Sequence, residues 1–146
     1  MSQGKKYKVV IGSDHAGFEL KEYLRVILEE EGHIVRNAGT YDTASCDYPE
    51  FAYSVATAVA EGEADLGVLV CSTGIGMSMA ANRVAGVRAA LVHTGYEAEM
   101  TRRHNNANVL CLGANIIGKG IAEDALRSFL SHEFEGGRHS RRVDMF

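Results

Sequence analysis

Two hydrophobic rhythms alternate along this chain. Short apolar runs predict buried strands, and between them apolar residues three and four apart predict helices. Residues 7–13, YKVVIGS, make the first such run. Residues 18–31 follow with Phe18, Leu20, Tyr23, Leu24, Ile27 and Leu28 at helical spacing, and Gly32 stands where that helix should stop. Residues 33–37 predict a short second strand. Asp47-Tyr48-Pro49 reads as a helix start, with Asp47 capping and Pro49 in the first turn. Ala52, Val55, Ala56 and Val59 give that helix its buried face, and Gly62 ends it. Residues 66–70, LGVLV, predict a strand buried on both faces, and residues 77–81 suit a packed helix. Residues 87–92 and 108–112 predict two more strands. Residues 96–106 and 121–132 predict two more helices, the first more polar. Residues 133–146 form a polar tail with Gly136-Gly137 as a hinge.

Strand and helix alternate five times with short links. This pattern predicts an α/β protein: a three-layer Rossmann-like fold with a five-stranded parallel sheet, order 2-1-3-4-5, and helices on both faces. The 146 residues suffice for a sizeable core, and we read 1–146 as one domain. The tail is too short to be a domain, and it either docks on a partner subunit or frays. In such sheets ligands bind outside the carboxyl ends of the strands, where the strand order reverses. Those ends carry Ser13-Asp14-His15, Cys71-Ser72-Thr73, His93-Thr94 and Gly113-Ala114-Asn115.

The net charge of -4 argues against a nucleic-acid surface, which is usually strongly basic. No apolar run is long enough to cross a membrane. The opening residues are short and polar, unlike a signal peptide. Cys46, Cys71 and Cys111 are an odd number without Cys-x-x-Cys spacing. They read as reduced thiols of a cytosolic protein, forming neither a disulfide frame nor a zinc site.

The stretch with most chemistry is Cys71-Ser72-Thr73-Gly74-Ile75-Gly76, a Gly-rich turn between strand and helix. Such a turn aims several backbone N–H groups at one spot and holds an anion. Spacing alone does not choose between a phosphate cradle and an oxyanion hole. A free cysteine is often just a small buried hydrophobe. A helix N-terminus, however, favours thiolate over thiol, which makes such a cysteine a usable base or nucleophile. Cys111 reads as core and Cys46 as a loop residue. Asp14 is either a helix cap or a site group. His15 is placed where a histidine can bind phosphate or move protons. His104, at a helix end, either complements the dipole or acts in a site. Arg138 and Arg142, four apart, are either a solvated basic tail or a paired phosphate clamp. Neither a full G-x-G-x-x-G nor a Walker lysine is present, so a nucleotide cofactor is not supported.

Six signatures then stand in one order: Ile11-Gly-Ser-Asp-His-Ala-Gly-Phe18, Asp47-Tyr-Pro49, Val70-Cys-Ser-Thr-Gly-Ile-Gly-Met77, Ala81-Asn-Arg83, Arg103-His-Asn-Asn-Ala-Asn-Val109 and Glu135-Gly-Gly-Arg-His-Ser-Arg-Arg-Val143. Over nearly the whole chain the sequence resembles the type B ribose-5-phosphate isomerases, whose family also holds the galactose-6-phosphate isomerase subunits. The resemblance implies an aldose–ketose isomerase, an intramolecular oxidoreductase working through a cis-enediolate without metal or other cofactor. It further implies a step in the non-oxidative branch of the pentose phosphate pathway. By resemblance, Cys71 is the base between C2 and C1, and Thr73 moves protons between the sugar oxygens. Amides of Ser72, Gly74, Ile75 and Gly76 hold the enediolate oxygen. His104 with Asp14 opens the furanose ring. His15, Arg138 and Arg142 grip the phosphate, and Tyr48 and Asn105 line the sugar pocket. The site lies between two subunits of a homodimer or a tetramer, with the His104-Asn105 region coming from the partner.

Two positions depart from the family pattern. Asn115 stands where many members carry an arginine that reaches the phosphate, which fits a weaker grip or a longer sugar such as allose 6-phosphate. Ile75 stands where some members carry a glutamate, which favours Cys71 as base. Other readings are a cysteine hydrolase with Cys71 as nucleophile and His15 or His104 as base, and a catalytically silent sugar-phosphate sensor.

Overall fold

A computed structural model describes residues 4–146. Residues 1–3, part of the polar opening read above, lie outside the described residues. The elements run β1 (Lys8–Ser13), α1 (Phe18–Glu30), β2 (Ile34–Asn37), α2 (Tyr48–Ala60), β3 (Leu66–Cys71), α3 (Ile75–Ala81), β4 (Ala89–Leu91), α4 (Gly95–Asn105), β5 (Val109–Gly113), α5 (Lys119–Ser131) and α6 (Arg138–Val143). Every strand pairing is parallel. Among the described residues, no helix is long and apolar enough to cross a membrane.

Alternation along each strand sorts the core into two layers. Val9, Ile11, Val68, Val70, Leu110 and Leu112 face α1, α4 and α5, where Leu24, Leu28, Leu126 and Phe129 pack. Val10, Leu69, Cys71 and Cys111 face α2 and α3, against Val55, Ala56, Val59 and Met77. Cys71 therefore belongs by its backbone to a buried central strand and by its side chain to the α2–α3 layer.

The strand order is β2-β1-β3-β5-β4, which corrects the expected 2-1-3-4-5. The chain passes from β3 to the edge and returns to fill the gap. Burial explains why. β5, Val-Leu-Cys-Leu-Gly, is buried at every residue and pairs with both β3 and β4. β4 is three residues of intermediate burial, which suits an edge. The swap leaves the switch point of the sheet where it was expected. β1 has β2 on one side and β3 on the other, so the order reverses between the carboxyl ends of β1 and β3.

The helix starts differ in detail. Asp47 precedes α2 in extended backbone and Pro49 sits in its first turn, but the Asp47 side chain makes no cap hydrogen bond. The predicted stops at Gly32 and Gly62 hold, both with φ near +80 to +90°. The tail is not featureless: residues 138–143 fold into α6, which packs against α4.

Candidate active site

The turn after β3 is built around its sulfur. Cys71 is only 5 % exposed, and its Sγ accepts a hydrogen bond from the Gly74 N–H at 3.2 Å. Gly74 takes φ +79°, a left-handed bend that glycine adopts without strain. A side chain there would also strike the Leu112 carbonyl carbon at 2.9 Å. Thr73 Oγ1 accepts from the Ile75 N–H at 3.3 Å. Two of the four amides expected to form an oxyanion hole therefore already have acceptors within the turn. Gly74 serves the sulfur itself.

The turn after β5 braces the same loop. Ala114 N–H donates to the Cys71 carbonyl and Asn115 N–H to the Ser72 carbonyl, both at 2.9 Å. The Asn115 side-chain amide donates to Ser72 Oγ at 2.8 Å. Asn115 thus holds the Cys71 turn in shape where an arginine was the family expectation. Tyr48, at the start of α2, lies across the opening of the turn. A Cβ on Gly76 would stand 2.5 Å from its ring.

β1 delivers the next groups. Asp14 is buried, and its Oδ1 accepts from the Gly17 N–H at 3.0 Å, while its own N–H donates to the Val70 carbonyl at 3.3 Å. The carboxylate thus shapes the entry to α1 as well as facing the site edge. His15 Nδ1 accepts from the Cys46 N–H at 3.2 Å. That bond leaves the ring proton on Nε2 and makes the free edge of His15 a donor. Cys46 is a loop residue and Cys111 a core residue, as expected. Burial, then the charge of Cys71 beside it, pushes the Cys111 thiol far above its ordinary range.

One supporting residue was missed. Lys21 is fully buried, and burial lowers its pKa. Its Nζ bonds Asn37 Oδ1 at 2.9 Å and the Thr40 carbonyl at 2.6 Å. The loop so held pairs with Ser13, since Gly39 O accepts from Ser13 N–H and Thr40 N–H donates to Ser13 O, both at 2.7 Å. Lys21 therefore sets the backbone from which Asp14 and His15 project. The available signal was a lysine three residues before Leu24, on the helix's apolar stripe.

The remaining predicted residues lie elsewhere. α4 runs back from β4 to the start of β5, so His104 and Asn105 sit at the amino edge of the sheet. Cys71 pairs with Gly113, and Gly67 with Val109, at opposite ends of β3 and β5. Four strand steps, roughly 13 Å, separate those edges. α6 joins His104 there: the His139 ring stacks on the His104 ring, and the Glu135 N–H donates to the Arg103 carbonyl. Arg138 and Arg142 are exposed on α6 and have no ion-pair partner among the described residues. A cavity of about 680 Å³ at this edge includes Asn82, Arg88, Asn105 and Phe146 in its lining and not Cys71. One chain thus brings together Cys71, Ser72, Thr73, Gly74, Ile75, Gly76, Asp14, His15 and Tyr48. It keeps His104, Asn105, Arg138 and Arg142 apart from them. His104, Glu135 and His139 place potential metal-ligating atoms within 4.8 Å of one another. The stacked rings run their in-plane lone pairs side by side, so they do not converge on one point.

The model of the ribose/galactose isomerase family matches residues 9–146. This chain belongs to that family. The isomerase is 43% identical over 137 residues to ribose-5-phosphate isomerase B of Escherichia coli K12, covering 94% of this chain and 92% of that protein. It superposes on ribose-5-phosphate isomerase B of Clostridium thermocellum with TM-score 0.94 and 46% identity, covering 94% and 93% of the two chains. It also superposes on ribose-5-phosphate isomerase B of Mycoplasma genitalium with bound ribulose-5-phosphate, with TM-score 0.91 and 43% identity over 94% and 92%.

Proposed function

We propose that this isomerase interconverts D-ribose 5-phosphate and D-ribulose 5-phosphate through a cis-enediolate, in sites shared by two copies of the chain. The observation that carries this reading is the Cys71 turn, in which sulfur and amides meet at the switch point of the sheet. The relatives' names supply the substrate, one of them with ribulose-5-phosphate bound.

A proton next to a carbonyl is weakly acidic, so the barrier falls mainly by stabilising the enediolate. Cys71 thiolate takes the C2 proton of the open aldose and returns it to C1. The Gly74 amide supports the sulfur anion, and the Ser72 and Gly76 amides take the developing oxyanion. Thr73 passes a proton between O1 and O2. Asp14 and His104 of the partner subunit open the furanose. His15 donates from Nε2 to the phosphate, and Arg138 and Arg142 of the partner subunit close over it. Two exposed guanidiniums on one face of a helix suit a bidentate grip on phosphate. Binding the remote phosphate then holds C1 and C2 in the reactive pose. Tyr48 and Asn105 of the partner subunit line the sugar. The large exposed apolar side chains Tyr53, Ile75 and Met79 lie on α2 and α3 beside the turn, a surface that suits cover by a second copy.

A coupled assay of the purified protein against ribose 5-phosphate, allose 6-phosphate and galactose 6-phosphate tests the reading. Ribose 5-phosphate is expected to turn over fastest. Cys71→Ala is expected to fold and to lose activity by about a thousandfold or more. Near-native turnover by that variant would remove Cys71 from the chemistry.

A further inference from the structure

Helix α6 carries more than its guanidinium pair. His139 lies between Arg138 and Arg142, and its ring stacks on His104 with centroids 4.2 Å apart and planes 11° from parallel. The residue is 6 % exposed, and its Nε2 has no hydrogen-bond partner among the described residues. Glu135 Oε1 is its nearest acidic neighbour, at 3.6 Å, beyond hydrogen-bond length. Glu135 is itself held by Arg103, whose Nε donates to Oε2 at 2.5 Å. Burying an imidazole with an unsatisfied nitrogen costs stability, so packing alone does not favour histidine here.

The contact is face to face. A stacked ring fixes the plane of its neighbour while using neither of the neighbour's nitrogens. The His104 side chain makes no hydrogen bond among the described residues, so the stack is what orients it and leaves its edge open. Burial, then the charges of His104 and Arg138, lowers the His139 pKa from the ordinary imidazole value.

We infer that His139 is a positioning residue whose stacked ring fixes His104 and links phosphate capture on α6 to opening of the sugar ring on α4. The inference rests on the roles proposed above for His104, Arg138 and Arg142. Arg138, His139 and Arg142 share six residues of helix and move together. A phosphate that pins the two arginines therefore also pins the surface on which His104 lies. His104 then meets the ring oxygen only when the phosphate is seated.

The test separates ring opening from proton abstraction. Ribulose 5-phosphate has its carbonyl at C2 and its O5 esterified, so it cannot close a five-membered ring. Solvent exchange of its C1 hydrogen, followed by NMR in deuterium oxide, needs Cys71 and not the ring-opening step. Turnover of ribose 5-phosphate needs both. His139→Ala is expected to lose about tenfold or more in ribose 5-phosphate turnover, with C1 exchange kept within about twofold. His139→Phe, which keeps a flat face, is expected to recover most of the loss. A parallel fall in exchange and turnover, a wild-type Ala variant, or a Phe variant no better than Ala would each overturn the inference. Exchange that survives Cys71→Ala would instead overturn the proposed role of Cys71, and the positioning role would be judged on turnover of the His139 variants alone.

Discussion

Gly113 sets how closely two turns can meet. A Cβ there would stand 2.6 Å from the carbonyl carbon and oxygen of Thr73, which are backbone atoms and cannot swing aside. Gly113→Ala should push the Cys71 turn away from β5, costing about 1–3 kcal/mol in a urea titration. The same shift should lower turnover by about tenfold or more, because the reacting groups would be misplaced. A variant matching wild type in both measurements would mean that the turn slides freely. Cys71 was legible in the sequence because a Gly-rich turn follows a buried run. Asn115 was legible only as a departure: its bond to Ser72 depends on two strands lying side by side, which linear spacing does not encode. Lys21 was hidden for a related reason. A lysine on an apolar stripe ordinarily snorkels to water, and here a loop from after β2 closes over it.

The junction of β1 and β2 offers a test at the scale of elements. His33 Nδ1 accepts from the Tyr7 N–H at 3.1 Å, just before the two strands pair. Burial, then the charge of Lys6, lowers the His33 pKa from its ordinary 6.5. The unfolded chain therefore takes up a proton that the folded chain resists. The stability this contributes is complete above pH 6.5 and is lost as pH falls through the folded value. Thermal unfolding at about pH 7.5 and about pH 5.5 should show wild type losing more than His33→Asn, whose side chain cannot titrate. An equal loss in both proteins would take His33 out of the acid response. Element identity was readable from apolar rhythm through α5, to within a residue or two at most ends, while α6 lay in a stretch read only as a polar tail. Strand order was not. It turned on β5 being buried on both faces and β4 being short, and reading strands in chain order ignores that difference.

At the scale of the molecule, the proposed site is divided between the two edges of the sheet. Mixing chains tests the division directly. Cys71→Ala and His104→Asn are each expected to be inactive alone. After denaturation and refolding together, half of the dimers should be mixed, each with one intact site of two. About a quarter of wild-type activity should return. Mixtures that stay inactive, while each variant still folds and pairs, would place sulfur and imidazole in the same chain's site. The division was half visible in the sequence. The motifs at residues 71–76 and 103–109 were both present, but the distance between them appears only once α4 is seen to run back across the sheet.

The stack of rungs between Cys71 and His104 has a further effect on rate. If the site is shared as proposed, a lone chain holds one half of the chemistry at each rim and cannot fold itself shut around a sugar. On this reading, dilution below the pairing constant starves every molecule equally, and output falls with the square of protein concentration. A cell holding scarce copies would own a well-formed enzyme that idles until its neighbours arrive.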